Sequence, residues 1–305
     1  MRDTKNLLGS ARAIRLGLFL SQRLPPRGGY GLARFAASFL SWVRPRMYWN
    51  VRANLRQVLG LETPGQVLHG MARRTLFRAG VSYYEYLRAV GQAPEVLAGL
   101  LQVPDLFWET LDQALARGRG VMLVTAHMGN FDLAALSLTA RGLRLQALSV
   151  ADPPPGFQFL NRLRQEAGVE VTPITEATIR RAVQRLKAGG IVSTGVDYPF
   201  GPGREPLRFF GRTALLPTGH VRLALMTGAW LMAVGVQYLE GQGYVLRVEP
   251  PLEPVHRGDR KEGVRALAEQ VLAVLGSWIR ETPDQWFMFL PVWPELLERP
   301  QRNSA

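Results

Sequence analysis

The sequence predicts an α/β fold: a mainly parallel central sheet flanked by helices, preceded by a basic helical region integral to the same body. Two observations predict it. After Pro104, short apolar runs alternate with amphipathic stretches, the β-α-β-α signature of a parallel sheet covered by helices. Before it, residues 1–90 carry apolar residues at helical spacing with few β-branched runs. Breaks at Leu24-Pro25-Pro26 and Gly28-Gly29 divide that first region. The core begins with Gly120-Val-Met-Leu-Val-Thr125, an apolar run behind a glycine-rich turn that reads as a buried strand. A helix over 132–140, a strand over 145–150 and a helix over 157–167 follow. The alternation continues with a strand over 169–174, a helix over 176–188 and a strand over 191–196. Residues 197–217 are rich in Pro and Gly and read as a long functional loop. A helix over 218–227, a strand pair around Gly241-Gln-Gly243 and a long helix over 260–280 complete the body. The last segment, ETPDQWFMFLPVWPELLER, is aromatic with proline breaks and reads as a docked tail.

With 305 residues and 47% hydrophobic composition, the chain can bury a large core and is not intrinsically disordered. The absence of cysteine excludes disulfides, a thiolate nucleophile and Cys-bearing metal sites. Charge is segregated. Residues 1–92 hold 15 Lys+Arg against three acids, so nearly all of the net +13 lies in the first third. Genome bias explains why only three of the 37 basic residues are Lys, but it does not explain the segregation. An anionic surface, phospholipid or nucleic acid, is the implied partner. The apolar runs 14–20 and 35–43 are bounded or interrupted by Arg and fall short of the ~20 residues that span a bilayer. They fit helices lying among lipid headgroups, and no cleavable signal peptide is expected. The expected organisation is a basic amphipathic, membrane-facing helical region over 1–92 and an α/β core over 93–305, together one domain.

No Gly-x-Ser-x-Gly elbow, phosphate loop or His-Glu-x-x-His pair is present, and the four histidines have no metal-ligand spacing, so no metal is expected. His127 stands apart. In VTAHMGNFDLAAL it directly follows a buried strand, with Asp132 five residues on as a helix begins. Open α/β sheets place their ligands at such strand ends. The Asp132 carboxylate could fix the tautomer of the imidazole and stabilise its protonated form, leaving the other ring nitrogen to take a proton. Gly129 and Asn130 permit a sharp turn with free N–H groups. No protein nucleophile adjoins this pair, so the substrate must bring one, most simply a hydroxyl attacking an activated acyl group. The competing reading is a hydrogen-bonded turn without chemistry. Asp197, at a strand end before the long loop, is a candidate site residue or a turn cap. Phe209 and Phe210 fit either the core or an acyl-channel wall, and Tyr83, Tyr84 and Tyr86 fit packing. His69, His220 and His256 read as structural or solvated.

The segment AHMGNFD resembles the H-x-x-x-x-D hallmark of glycerolipid-type acyltransferases. Its wording is similar to the branch with bacterial lipid A and phosphatidylinositol mannoside acyltransferases. Further matches run over residues 10–295. They are Asn54-Leu55, Arg164 in an Arg-x-x-x-Gly element, and Asp197 with the loop through Phe209-Phe210-Gly211. Pro217-Thr218-Gly219, Thr227-Gly228-Ala229 and the closing TPDQWFMFLPVW, nearer the mannoside branch, continue them. The chain departs from the pattern at Pro199, where a second acid is common. Asp152 stands where the family often has Glu, and the membrane span usual in the lipid A branch is not found.

The resemblance implies O-acyl transfer by His127 as general base with Asp132 orienting it. The donor would be acyl-CoA or acyl-carrier protein, the acceptor a glycolipid or lipid A-type hydroxyl, and no cofactor is required. Gly129, Asn130, Asp152, Arg164, Asp197 and Phe210 would contact substrate, with the oxyanion held by N–H groups at the Gly129–Asn130 turn or by Arg164. Location would be peripheral or monotopic at the cytoplasmic face of the inner membrane, on phospholipid. The alternatives are an acyl-thioester hydrolase, a non-catalytic membrane-surface protein or a basic nucleic-acid-binding protein. Nucleic acid is not the expected partner, since Arg interleaves with apolar faces and no nucleic-acid module is recognised.

Overall fold

The structure, a computed structural model, describes residues 9–201, 203–254 and 259–297. His256 lies outside the described residues. Four helices come first: α1 (Ala11–Arg23), α2 (Pro26–Val43), α3 (Arg46–Leu59) and α4 (Gly65–Ala89). The chain breaks where Pro25-Pro26 requires, since the residue before a proline leaves the helical region. Gly28-Gly29 is not a break. It lies inside α2, and a Cβ on Gly29 would sit 2.3 Å from the Tyr84 ring. Glycine here lets α2 cross closely over α4.

Next come α5 (Pro94–Gly99), β1 (Leu101–Gln102), α6 (Asp105–Ala116), β2 (Val121–Thr125) and α7 (Phe131–Ala140). They are followed by β3 (Leu145–Ser149), α8 (Pro155–Glu166), β4 (Glu170–Pro173), α9 (Glu176–Lys187) and β5 (Ile191–Gly195). The chain continues with β6 (Arg204–Phe209), β7 (Arg212–Pro217), α10 (Gly219–Thr227), β8 (Trp230–Leu239), β9 (Gly243–Val248) and α11 (Arg260–Glu281). Seven strands form one sheet in the order β1-β9-β8-β2-β5-β3-β4, parallel except where β9 runs back along β8. The fold is thus the mainly parallel α/β architecture that the alternation predicts. β2 shows why both faces are covered: Val121 and Leu123 enter one apolar layer, while Met122 and Val124 enter the other. The first layer also takes Ile14, Tyr86 and Leu87, so α1 and α4 share a core with the sheet.

Residues 197–217 correct the expected loop. They include an antiparallel hairpin, β6 and β7, whose turn has positive φ at Phe210 (51°) and Gly211 (79°). Two left-handed residues in succession are what a tight hairpin turn demands. The alternation was present in the sequence only in part: Leu207, Phe209, Ala214 and Leu216 point inward between exposed neighbours, but these include Pro206 and Leu215 beside Arg208 and Thr213. The Pro/Gly-rich start of the segment masked it.

Candidate active site

β2 and β5 are neighbours with Thr125 opposite Gly195. Two residues beyond each strand stand His127 and Asp197, so sheet register alone brings them face to face. Their side chains meet: His127 Nδ1 is 2.6 Å from Asp197 Oδ1. The backbone N–H of His127 donates to Asp197 Oδ2 at 2.9 Å, and the indole Nε1–H of Trp286 donates to the same oxygen at 2.8 Å. Asp197 is fully buried, whereas the His127 side chain keeps 32% of its surface open. Burial works to lower the pKa of His127, but the charge of Asp197 and its hydrogen bond more than offset this and hold it above the ordinary histidine value. Burial likewise pushes Asp197 up, and the His127, Trp286 and backbone partners bring it below the ordinary carboxylate value. With Nδ1–H donating to the carboxylate, the neutral ring presents a bare Nε2 lone pair.

Glycine makes room for this ring. A Cβ on Gly195 would lie 2.9 Å from His127 Cε1. At Gly129, φ is +59° and a Cβ would stand 2.0 Å from the Val236 carbonyl oxygen, so the turn can close against β8 only with glycine there. Phe131 meets the imidazole edge-on at 5.6 Å between ring centres. Tyr198 lies 5.8 Å away and Phe200 6.0 Å beyond Tyr198, giving the open side an aromatic rim.

Asp132 is not the partner of His127, contrary to the spacing argument. Its oxygens receive Arg164 Nε at 2.6 Å and Nη2 at 3.0 Å, and Arg164 Nη1 donates to Asn161 at 2.6 Å. The first turn of α7 carries Asp132 toward α8, and the buried pair fastens the two helices near the site. Arg164, expected to touch substrate, is committed to this tie. Asn130 is the N-cap of α7, its side chain accepting from Leu133 N–H at 3.2 Å and donating to the Ser82 carbonyl at 3.0 Å. The Gly129 N–H, expected to face an oxyanion, donates instead to the Gln285 carbonyl at 2.8 Å. With the Leu133 N–H taken by the Asn130 cap, that leaves the Phe131 and Asp132 N–H groups at the start of α7 as the oxyanion candidates.

Asp152 lies apart from His127, exposed in the β3–α8 loop. With Ser149, Gln158, Asn161 and Gln165 on its polar side and Val150, Pro153 and Val171 among its apolar residues, it lines a mixed cleft of about 260 Å³ at the C-terminal ends of β3 and β4. This is the same end of the sheet that carries His127. Phe210 belongs to an aromatic cluster with Phe209, Trp286 and Trp293, and Arg280 sits 4.8 Å over its ring.

Sequence reasoning missed the part played by the C-terminal segment. Met128 and Trp286 form an antiparallel bridge, with Phe287 N–H donating to the His127 carbonyl at 2.7 Å. The segment is clamped in turn by α3. Asn54 Nδ2 donates to the carbonyls of Met288 (3.0 Å) and Leu290 (2.8 Å), and its Oδ1 accepts from Val292 N–H at 2.9 Å. The Asn54-Leu55 and Pro-x-x-Trp elements, far apart in sequence, are therefore two halves of one brace. Their shared signal was an isolated buried amide and an isolated Trp, which no local pattern connects.

No metal-holding cluster of His, Asp and Glu occurs among the described residues. Residues 13–295 match the sequence family described as bacterial lipid A biosynthesis acyltransferase. The chain is 28% identical over 249 residues to the phosphatidylinositol mannoside acyltransferase of Mycolicibacterium smegmatis, covering 80% of this chain and 78% of that one. It is 29% identical over 251 residues to the protein of that name from Mycobacterium tuberculosis, covering 80% and 76%. Among solved structures, it has a distant likeness to the 1-acyl-sn-glycerophosphate acyltransferase PlsC of Thermotoga maritima. The identity is 16% and the TM-score 0.38, over 83% of this chain and 99% of that one. The chain belongs to the bacterial lipid A biosynthesis acyltransferase family, and it is an acyltransferase.

Proposed function

We propose that this acyltransferase moves a fatty acyl chain from acyl-CoA or acyl-carrier protein to a glycolipid hydroxyl, with His127 as the general base. The single observation that carries the reading is the His127–Asp197 pair at the C-terminal end of the parallel strands, bonded through Nδ1 while about a third of the His127 side chain stays open (32%). Nε2 takes the proton of the acceptor hydroxyl, and the resulting oxygen attacks the thioester carbonyl. The tetrahedral oxyanion forms beside the first turn of α7, where N–H groups and the helix dipole favour negative charge. The C–S bond then breaks, and the protonated His127 returns its proton to the departing thiolate. Asp197 stabilises the imidazolium between these steps. General-base catalysis is worth roughly 10²–10⁴-fold, and positioning of the two substrates supplies the remainder. No step requires a cofactor.

The cleft around Asp152 fits the head of a glycolipid, since its lining offers hydrogen-bond donors and acceptors beside apolar surface for the sugar-ring faces. Similarity to the mannoside relatives supports a glycosylated acceptor. The N-terminal region 1–92 supports a peripheral seat on anionic phospholipid, at the cytoplasmic face of the cell membrane where acyl thioesters are made. Among the described residues no helix is long and apolar enough to cross a membrane. On α1 and α2, however, Leu16, Phe19, Phe35, Phe39 and Trp42 are each at least half exposed, with Arg15, Arg23, Arg27 and Arg34 on the same two helices. Such a pattern inserts rings among acyl chains while guanidinium groups meet phosphates.

The test offers radiolabelled palmitoyl-CoA and a polar-lipid extract of the source organism to the purified enzyme and to His127→Ala. A labelled lipid that vanishes with the mutant is the expected result. Thioester loss without a lipid product identifies a hydrolase instead, and transfer surviving in the mutant removes His127 as base. For the membrane seat, sedimentation with phosphatidylglycerol-containing vesicles should exceed that with neutral ones, and Phe35→Ser/Trp42→Ser should abolish the difference.

A further inference from the structure

We propose that Trp286 is a positioning residue for acyl transfer, its indole N–H locking the Asp197 carboxylate in the one orientation that holds His127 as the Nδ1–H tautomer. This goes beyond the general-base reading and rests on it. Asp197 Oδ2 accepts two fixed donors, the His127 backbone N–H at 2.9 Å and Trp286 Nε1–H at 2.8 Å. Both are donors only and neither titrates in the working range. A proton on Asp197 therefore cannot sit on Oδ2, and Oδ1 is left to face His127 Nδ1 at 2.6 Å. With one donor gone, the carboxylate could rotate about its Cβ–Cγ bond and release the ring.

The surroundings argue that the indole serves this bond rather than merely filling space. Trp230 and Trp293 are equally buried, and among the described residues their indole nitrogens have no partner. Among the described residues, Trp286 is thus the one of these three buried indoles whose N–H meets an acceptor, and that acceptor is a carboxylate. The ring is also placed with care. The Met128–Trp286 bridge ties its backbone to the His127 turn, and the side chain of the preceding residue, Gln285, accepts from the Tyr238 backbone N–H at 2.7 Å and donates to the Tyr238 carbonyl at 2.9 Å. Trp286 also meets Phe209 and Trp293 edge-on and Phe210 at a tilt within the aromatic cluster.

The matched variants are Trp286→Phe, which deletes the N–H and keeps a ring, and Trp293→Phe, which deletes an unpartnered N–H from the same cluster. The primary readout is the ¹⁵N NMR titration of the His127 ring in the full-length protein, which needs no substrate. In Trp286→Phe the carboxylate turns away from the ring and stabilises the imidazolium less. The His127 midpoint then moves downward and the Nδ1-bound proton signal broadens, while Trp293→Phe titrates as the wild type. In the transfer assay Trp286→Phe loses kcat about tenfold, in line with a hydrogen bond to a charged group, with KM for both substrates near the wild-type value. An unshifted titration in Trp286→Phe, or an equal shift in Trp293→Phe, overturns the proposal. Should Trp286→Phe fail to fold, the wild-type indole ¹H–¹⁵N signal of Trp286 decides. It moves at the His127 midpoint if the relay exists, and indifference to that titration refutes it. These signals do not depend on turnover, so loss of the general-base reading, seen as transfer surviving His127→Ala, is a separate result.

Discussion

His127 and His220 are both enclosed at the beginning of a helix, and their surroundings treat them in opposite ways. His127 stands at the turn into α7 with a carboxylate on Nδ1 and an open edge. His220 lies in the first turn of α10, 3% exposed, with neither ring nitrogen partnered among the described residues. The consequence is electrostatic. Asp197 overcomes the burial of His127 and raises its pKa, while burial alone pushes that of His220 down to about 3. One ring is made basic and reachable. The other stays neutral at any physiological pH and acts as an apolar filler of polar composition. Burial therefore does not mark a functional histidine; the partner across the sheet does.

The comparison breaks most sharply by removing the base. His127→Ala should lower kcat by about 10²–10⁴-fold with the fold retained, whereas His220→Leu, which touches no group of the site, should leave kcat within about twofold. Asp197→Asn comes next. It leaves the ring a neutral partner and permits the wrong tautomer, so the expected loss is about 10²–10³-fold, larger than for Asp132→Asn. Asp132→Asn should register in stability instead, about 3 kcal/mol by chemical denaturation, because it strands the buried Arg164 guanidinium. Equal activity losses in the two Asn variants would show that the Asp132–Arg164 pair belongs to the chemistry. Gly195→Ala should cost about tenfold in kcat by displacing the ring that its Cβ would strike.

The pH predictions sharpen the same contrast. As a base, His127 must be neutral, so kcat/KM should climb with pH through a midpoint above the ordinary 6.5. In stability the two rings act with opposite sign. The raised pKa of His127 contributes below the unfolded-state value and is lost as pH rises through the folded one. His220, depressed to about 3, binds a proton only when unfolded, so stability falls as pH drops from 6.5 toward 3. The slope is about 1.4 kcal/mol per pH unit. Denaturant midpoints of His220→Leu measured across that window should flatten, and a slope equal to that of wild type would show the ring to be solvated or paired. Trp293→Phe removes no hydrogen bond among the described residues, so its cost, about 1–2 kcal/mol, should come from the cavity left by the smaller ring and be independent of pH.

The layer order and His127 were legible because both are local. Periodicity announces a strand, and a histidine directly behind an apolar run stands at its end. The identity of its partner was not local. Asp132 is five residues from His127 and Asp197 is seventy, yet strand order β2-β5 and the register Thr125–Gly195 make the distant one the neighbour. Sequence separation misled in the same way at Gly129, whose N–H is taken by a carbonyl more than 150 residues away. The β6–β7 hairpin shows a different limit, since its period-two pattern was short and lay behind proline and glycine.

The brace between α3 and residues 285–292 has a consequence for how the protein comes into being. During synthesis the strands that carry His127 and Asp197 emerge and can pair long before Trp286, Phe287 and Met288 leave the ribosome. Until those residues arrive, the catalytic turn lacks its backbone bridge and Asp197 lacks its indole donor. Asn54, made early, waits with an unfilled amide for carbonyls made last. Closure of the brace is thus set by chain order: only a product that has reached its final turns brings the His127 turn its bridge and Asp197 its indole donor, and a prematurely terminated one lacks both.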